Sequence, residues 1–405
     1  MMRVVVVGAG QAGASLVARL RSEGHEGEIV LIGDEPVPPY QRPPLSKAYL
    51  LGEMEEARLY LRPESWYAEN GIELRRGARV NGIDRDGRTV HCAEAEPIRY
   101  DALALCTGST PRTLPAAIGG DLTGVLTMRT LADADALRPL MAAGRRLLVI
   151  GGGYIGLEAA AVAAKSGLQV TLVEAAERIL QRVAAPVTSD RFRALHAAHG
   201  VDLREGTGLE RLIGDQGGRL TGARLTDGTE LELDLAIVGV GIAPNDGLAE
   251  AAGLDLENGI RCDARCRTSD PAIWAAGDCA SHPYEGRRIR LESVGGAIDM
   301  AECAARNILG QEVDYVPRPW FWSDQYDMHL QIAGLNQGWT DVHVRPGADG
   351  AASHWYYAGV RLLAVDAMND ARAYMVGKRL IEAGKSPSPS AATDPATDLK
   401  TLLKA

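Results

Sequence analysis

Two glycine runs set out the first chemistry of this chain. In VVVVGAGQAG, Gly8, Gly10 and Gly13 are spaced G-x-G-x-x-G, and in LVIGGGYIGLEAA the spacing returns at Gly151, Gly153 and Gly156. An apolar strand precedes each run and an amphipathic stretch follows it. Such a loop turns tightly and lets backbone approach a pyrophosphate. The helix that follows offers unpaired N–H groups and partial positive charge. A carboxylate ending the next strand accepts hydrogen bonds from ribose hydroxyls. In the first copy this is Asp34 or Glu35, with Glu35 preferred; in the second it is Glu174, eighteen residues beyond Gly156. A carboxylate there repels a 2′-phosphate, so the second nucleotide is expected to be NADH rather than NADPH. Arg178, four residues on, carries a charge suited to a phosphate and is the counter-argument.

The elements around the loops repeat as well. NGIELRRGARV (70–80) parallels HGVDLREGTGL (199–209), each followed by a hairpin with an Asp-Gly turn, Asp86-Gly87 and Asp227-Gly228. Each hairpin leads into an apolar strand that runs to glycine, DALALCTG and DLAIVGVG. One glycine fingerprint is weak evidence; two, each in a β-α-β unit with a matching hairpin, are strong. A resident and a visiting dinucleotide account for both loops. FAD and a nicotinamide are the natural pair, because hydride passes between them. Further on, Gly277-Asp278 follows a strand, and helical periodicity runs from about Gly295 to Leu309. The Asp278 carboxylate suits a ribityl hydroxyl, or else a plain turn or cap. A helix N-terminus near Val294 would stabilise negative charge near flavin N1.

Composition narrows the classes. The chain has 405 residues, enough for two or three domains. Lys plus Arg number 43 and Asp plus Glu 53, a formal charge of −10 that disfavours nucleic acid as a partner. No apolar run approaches a membrane span. The first residues run straight into VVVV without the pattern of a secretory leader. Reduced thiols are therefore expected at Cys92, Cys106, Cys262, Cys266, Cys279 and Cys303. Cys262 and Cys266 lack a matching ligand pair, and none of the eight histidines has metal-like spacing, so no metal site is expected. Arg287, Arg288 and Arg290, or Lys378 and Arg379, would suit an acidic partner, although such runs are more often solvated faces.

GAGQAG, PYQRPPLSK (Pro39–Lys47), GGGYIGLE, GVGIAPN, AAGD and PWFWSDQ occur in this order. Together they resemble the FAD-dependent, NADH-linked ferredoxin reductases of bacterial cytochrome P450 and ring-dioxygenase systems, over nearly the whole chain. The resemblance implies an α/β, glutathione-reductase-like fold: two Rossmann-type dinucleotide-binding domains plus an α+β C-terminal interface domain. It divides the chain into an FAD domain in two segments (1–110 and 242–316), an NAD domain (111–241) and a C-terminal domain (317–405). It implies a [2Fe–2S] ferredoxin as acceptor, and it puts Lys47 beside flavin N5, with Glu158 approaching it and the nicotinamide. Arg42, Arg129, Asp278 and Val294 fall at family flavin contacts, and Val80, Thr107, Gly108 and Gly277 complete the flavin set. Tyr154, Ile155 and Gly241 join the glycine loop and Glu174 in the NAD set. A cytoplasmic monomer, or a weak dimer, is expected.

Related disulfide reductases send their electrons out through a thiol pair over the flavin. The corresponding segment here, PYQRPPLSKAYLLGEM, has no cysteine, so electrons are expected to leave the flavin directly and singly. Trp320, Phe321 and Trp322 crowd one short motif. Trp320 is expected by the flavin and Trp322 nearer the partner, unless they are core aromatics. Four strands and a helix from about Asp370 to Glu382 should follow. The tail from about 385, Ser/Pro/Ala-rich through Thr397, is expected to be mobile until its last apolar residues. Two rivals stand: an NADH oxidase or rubredoxin-type reductase, and a flavin signalling protein resembling apoptosis-inducing factor.

Overall fold

The computed structural model describes residues 1–93 and 96–404; Ala405, the expected end of the last domain, lies outside the described residues. The chain divides into two compact units. The first comprises Met1–Gln41, Glu56–Thr110 and Ile242–Pro319; the second comprises Arg42–Glu55, Pro111–Gly241 and the chain from Trp320 onward. The segment 1–110, expected to form one piece of the FAD domain, is thus interrupted, with Arg42–Glu55 packed in the second unit.

The first unit is built on a five-stranded parallel sheet in the order Ile273–Ala275, Ala102–Leu105, Val4–Val7, Ile29–Ile32, Ile72–Arg75. The central strand is VVVV, and all four valines are buried. A parallel strand covered on both faces reads as a continuous apolar run, and this one does. Val4 stands opposite Ile29 on one side and Ala102 on the other. The helices Gln11–Ser22 and Val294–Ile308 pack together, and Gly277 sits where a Cβ would lie 3.0 Å from that of Ala12. The hairpin closes at Asp86-Gly87, with the Gly87 N–H donating to Asp84 Oδ1 at 2.9 Å.

The second unit repeats the plan. Its parallel sheet runs Asp202–Glu205, Gln169–Glu174, Arg146–Ile150, Leu235–Val238, Val125–Leu126. The strand before the glycine loop is again central, and the strand ending in the acid is again its neighbour. The second hairpin turns at Asp227-Gly228, where Asp227 Oδ1 accepts the Thr229 N–H at 2.9 Å. The C-terminal part is a five-stranded antiparallel sheet ordered Trp320–Gln325, Met328–Gly334, Arg361–Met368, Ala352–Ala358, Asp341–Pro346. The helix Ala371–Glu382 packs on it.

The tail departs from expectation. It is ordered: a helix at Pro389–Thr393 lies against the sheet and a 3-10 turn at Leu399–Leu403 against the helix Ala371–Glu382. Leu399 and Leu402 are buried with Trp355, Tyr374 and Leu380. The Arg345 guanidinium donates to the carbonyls of Ala392, Asp394, Pro395 and Thr397. Composition suggested a linker, but two leucines and one clamped loop outweigh the Ser/Pro content. No helix among the described residues is long and apolar enough to cross a membrane.

Candidate functional site

The two glycine loops have the same geometry. Gly8 has φ +110° and Gly151 φ +107°, a region glycine favours. A Cβ on Gly13 would stand 2.0 Å from the Gly8 carbonyl oxygen, and one on Gly156 2.0 Å from that of Gly151. These outer glycines let the helix close against the loop. The middle glycines differ, because a Cβ on Gly10 or Gly153 would meet no protein atom within 4 Å. Each is the N-cap of the following helix, neither helix is capped by a side chain, and neither has an acid in its first turn. Open space, helix N-terminal N–H groups and first turns without an acid fit a pyrophosphate at both places.

The acids separate by environment. Asp34 is exposed, whereas Glu35 is half-buried and accepts from the Tyr40 hydroxyl at 2.6 Å, a partner the sequence did not suggest. Glu174 accepts the Gly152 N–H at 2.7 Å and the Ala176 N–H at 2.8 Å, which fixes its carboxylate across the second loop. Arg178 is tied to the Ser189 hydroxyl and the Gln181 carbonyl. Tyr154 turns its hydroxyl inward and lays its ring 5.0 Å from Phe321, leaving Ile155 as the exposed side chain of that turn. Burial pushes the Tyr154 phenol up. Gly241, at φ +97°, has no atom within 4 Å of a Cβ and is flanked by exposed Val240, an apolar residue missing from the expected set.

In the first unit, Asp278 accepts from Ser109 Oγ at 2.8 Å, and its carbonyl takes Arg290 Nη1. Thr107 and Asn245 exchange hydrogen bonds, and the Gly108 carbonyl accepts the Asn245 N–H at 2.9 Å. Val80 begins a half-buried strand. The helix at Val294 is capped by Ser293, whose Oγ accepts the Gly296 N–H at 3.0 Å. Of the arginines weighed as a docking patch, Arg288 is bonded to the carbonyls of Cys262 and Ser281, and Arg290 to Glu292 and the Asp278 carbonyl. These two serve the fold. All six cysteines are free and buried, and no metal-binding cluster occurs among the described residues.

In the second unit, the 3-10 turn Pro43–Ser46 delivers Lys47 to Glu158, on the helix Tyr154–Lys165, with Nζ 2.8 Å from Oε2. Glu158 is 2% exposed and Lys47 19%. Ser46 donates to Oε2 at 3.0 Å and Ser323 to Oε1 at 2.8 Å, so three donors surround one buried carboxylate. Sequence reasoning found the Lys–Glu pair but missed both serines. Arg42 donates to the Arg129 carbonyl at 2.8 Å, bringing two expected residues together. Trp320 and Trp322 stack at 5.4 Å and 19° on one face of their strand.

Residues 2–304 match the family described as pyridine nucleotide-disulphide oxidoreductase, and residues 320–403 match the reductase C-terminal family. The chain is 42% identical to a rhodocoxin reductase of Rhodococcus erythropolis, covering 99% of this chain and 94% of that one. It is also 42% identical to a putidaredoxin reductase of Pseudomonas putida, covering 99% and 97%. Its structure matches the reductase in a covalent putidaredoxin reductase–putidaredoxin complex with a TM-score of 0.96 and 41% identity, over 100% of this chain and 98% of that one. The duplicated loops, the terminal antiparallel sheet and these likenesses converge: the chain belongs to the pyridine nucleotide-disulphide oxidoreductase family, among its putidaredoxin reductase-like ferredoxin reductases.

Proposed function

We propose that this protein is an FAD-dependent reductase that passes electrons from NADH to a [2Fe–2S] ferredoxin, which in turn supplies a cytochrome P450 or a dioxygenase. The observation that carries the reading is the buried Lys47–Glu158 pair in a chain with two open dinucleotide loops and no cysteine in the segment 39–54 around Lys47. FAD held there would supply a hydride acceptor for NADH and a source of single electrons for an iron–sulfur partner.

The residues divide that task. The N–H groups at Gly10 and the Glu35 carboxylate take the adenosine-diphosphate part of FAD; Asp278 and the Val294 helix serve its ribityl chain and ring. The loop at Gly153 takes the NADH pyrophosphate. Glu174, already held by two backbone N–H groups, keeps lone pairs for the adenosine ribose and opposes a 2′-phosphate. Arg178, tied to Ser189 and Gln181, does not counter it. Glu158 holds the Lys47 ammonium in place, and a fixed cation favours the arrival of hydride. The Trp320–Trp322 stack excludes water and offers a flat face to a partner. An enzyme fed by NADH works in the cytoplasm, and six free thiols suit that compartment.

The test is anaerobic NADH reduction of the purified yellow protein, then turnover with a panel of [2Fe–2S] ferredoxins. Strong stimulation by one ferredoxin, with NADH well ahead of NADPH, is expected. Failure of NADH to bleach the flavin defeats the reading. Oxygen consumption faster than ferredoxin reduction favours an oxidase.

A further inference from the structure

The strand Trp320–Gln325 alternates. Trp320 and Trp322 share one face, and Phe321, Ser323 and Gln325 share the other. That second face lies along helices of its own unit: Phe321 against Tyr154, Ser323 against Glu158 one helical turn on, and Gln325 against His196. Ser323, Gln325 and His196 are fully buried. A chain of hydrogen bonds joins them: Ser323 Oγ to Glu158 Oε1 at 2.8 Å, Gln325 Nε2 to Ser323 Oγ at 3.1 Å, and His196 Nε2 to Gln325 Oε1 at 2.8 Å.

The direction of this chain is fixed from its end. An ionised carboxylate only accepts, so Ser323 donates to it. The Ser323 oxygen then accepts from the Gln325 amide, and the Gln325 oxygen accepts from His196, which therefore carries its proton on Nε2. Burial keeps the His196 ring neutral, consistent with that tautomer. Every dipole in the chain points its positive end at Glu158.

We propose that Ser323, backed by Gln325 and His196, is a positioning residue that holds the Glu158 carboxylate aimed at Lys47, and so links the tryptophan strand to the Lys–Glu pair. The proposal rests on the reading that this pair acts at the flavin.

The test uses FAD-loaded protein and the variants Ser323→Ala, Ser323→Thr, Gln325→Met and Glu158→Gln. Anaerobic flavin reduction by NADH is followed in each. Loss of a hydrogen bond to a charged group predicts a rate about tenfold lower in Ser323→Ala, with unchanged NAD⁺ affinity. Ser323→Thr keeps the hydroxyl and the wild-type rate; Gln325→Met lowers the rate by less. Thermal unfolding supplies a readout apart from activity: Ser323→Ala is expected to destabilise the protein less in the Glu158→Gln background than alone. An unchanged rate in Ser323→Ala, or equal destabilisation in both backgrounds, overturns the proposal. If Glu158→Gln reduces its flavin as fast as wild type, the role of the pair at the flavin fails, while the unfolding cycle still judges the Ser323–Glu158 bond.

Discussion

At the scale of single residues, the site depends on charges kept ionised or neutral by few partners. Lys47→Met removes the cation and leaves Glu158 with two serine donors. FAD should stay bound, while reduction by NADH slows by about ten- to a hundredfold, the worth of a charged hydrogen bond; stopped-flow absorbance measures it, and an unchanged rate would sink the role given to Lys47. Lys47 and Glu158 were legible only through the family resemblance, because each sits in a motif that carries it. Ser323 was not, because it lies 165 positions from the carboxylate it serves, and no local spacing reports that. Asp366 was equally hidden. It is fully buried, its Oδ2 is bonded to Thr188 and Tyr356, and its Oδ1 has no partner among the described residues. Burial raises its carboxyl from 3.8 to about 7. Between those values the unfolded chain releases a proton that the folded chain keeps, so this group's stabilisation is full below about pH 4 and is lost as pH rises through about 7. His354, bonded to the same Thr188 and depressed to about 4 by burial beside Arg191, acts with the opposite sign. The clean observable is therefore a difference: the Tm of Asp366→Asn minus that of wild type should climb from pH 5 to pH 7.5. A flat difference would mean that Asp366 titrates normally.

At the scale of elements, period and turn chemistry made most of the fold readable. VVVV reads as a buried parallel strand, the Asp-Gly pairs read as hairpin turns, and the helix expected from about Asp370 runs Ala371–Glu382. The tail through Thr397 was misread as mobile because its Ser, Pro and Ala content does not report the helix at Pro389–Thr393 or the arginine that clamps its carbonyls. Here Leu399 and Leu402 add apolar burial, at roughly 1.5–3 kcal/mol for a fully buried leucine. Arg345, on the edge strand Asp341–Pro346, holds the intervening carbonyls. Arg345→Ala should release that loop, with cleavage near Thr393–Thr397 in limited proteolysis and a drop of a few degrees in Tm. Arg345→Lys, without the planar fork, should fall between the two. Resistance equal to wild type would show that the leucines hold the tail alone.

At the scale of the whole molecule, one β-α-β plan is used twice, and the duplication was visible because glycine spacing, hairpin and final strand all recur in order. The grouping of Arg42–Glu55 with the second unit was not visible, since chain order places it between elements of the first and only contacts assign it. The duplication also lets the two nucleotides be tested apart. At Gly10 and Gly153 an added Cβ meets no atom within 4 Å beyond its chain neighbours, so substitution there should spare the fold and obstruct a ligand. Gly10→Val should yield a folded but colourless protein with little FAD. Gly153→Val should yield a yellow protein whose KM for NADH rises at least tenfold while dithionite still bleaches it. By contrast, Gly13→Ala and Gly156→Ala drive a methyl to 2.0 Å from a carbonyl oxygen and should lower Tm. Absorbance at purification, NADH kinetics and unfolding together separate these cases. If Gly10→Val keeps its full flavin, or Gly153→Val loses flavin and NADH affinity together, the assignment of one loop to each nucleotide is wrong.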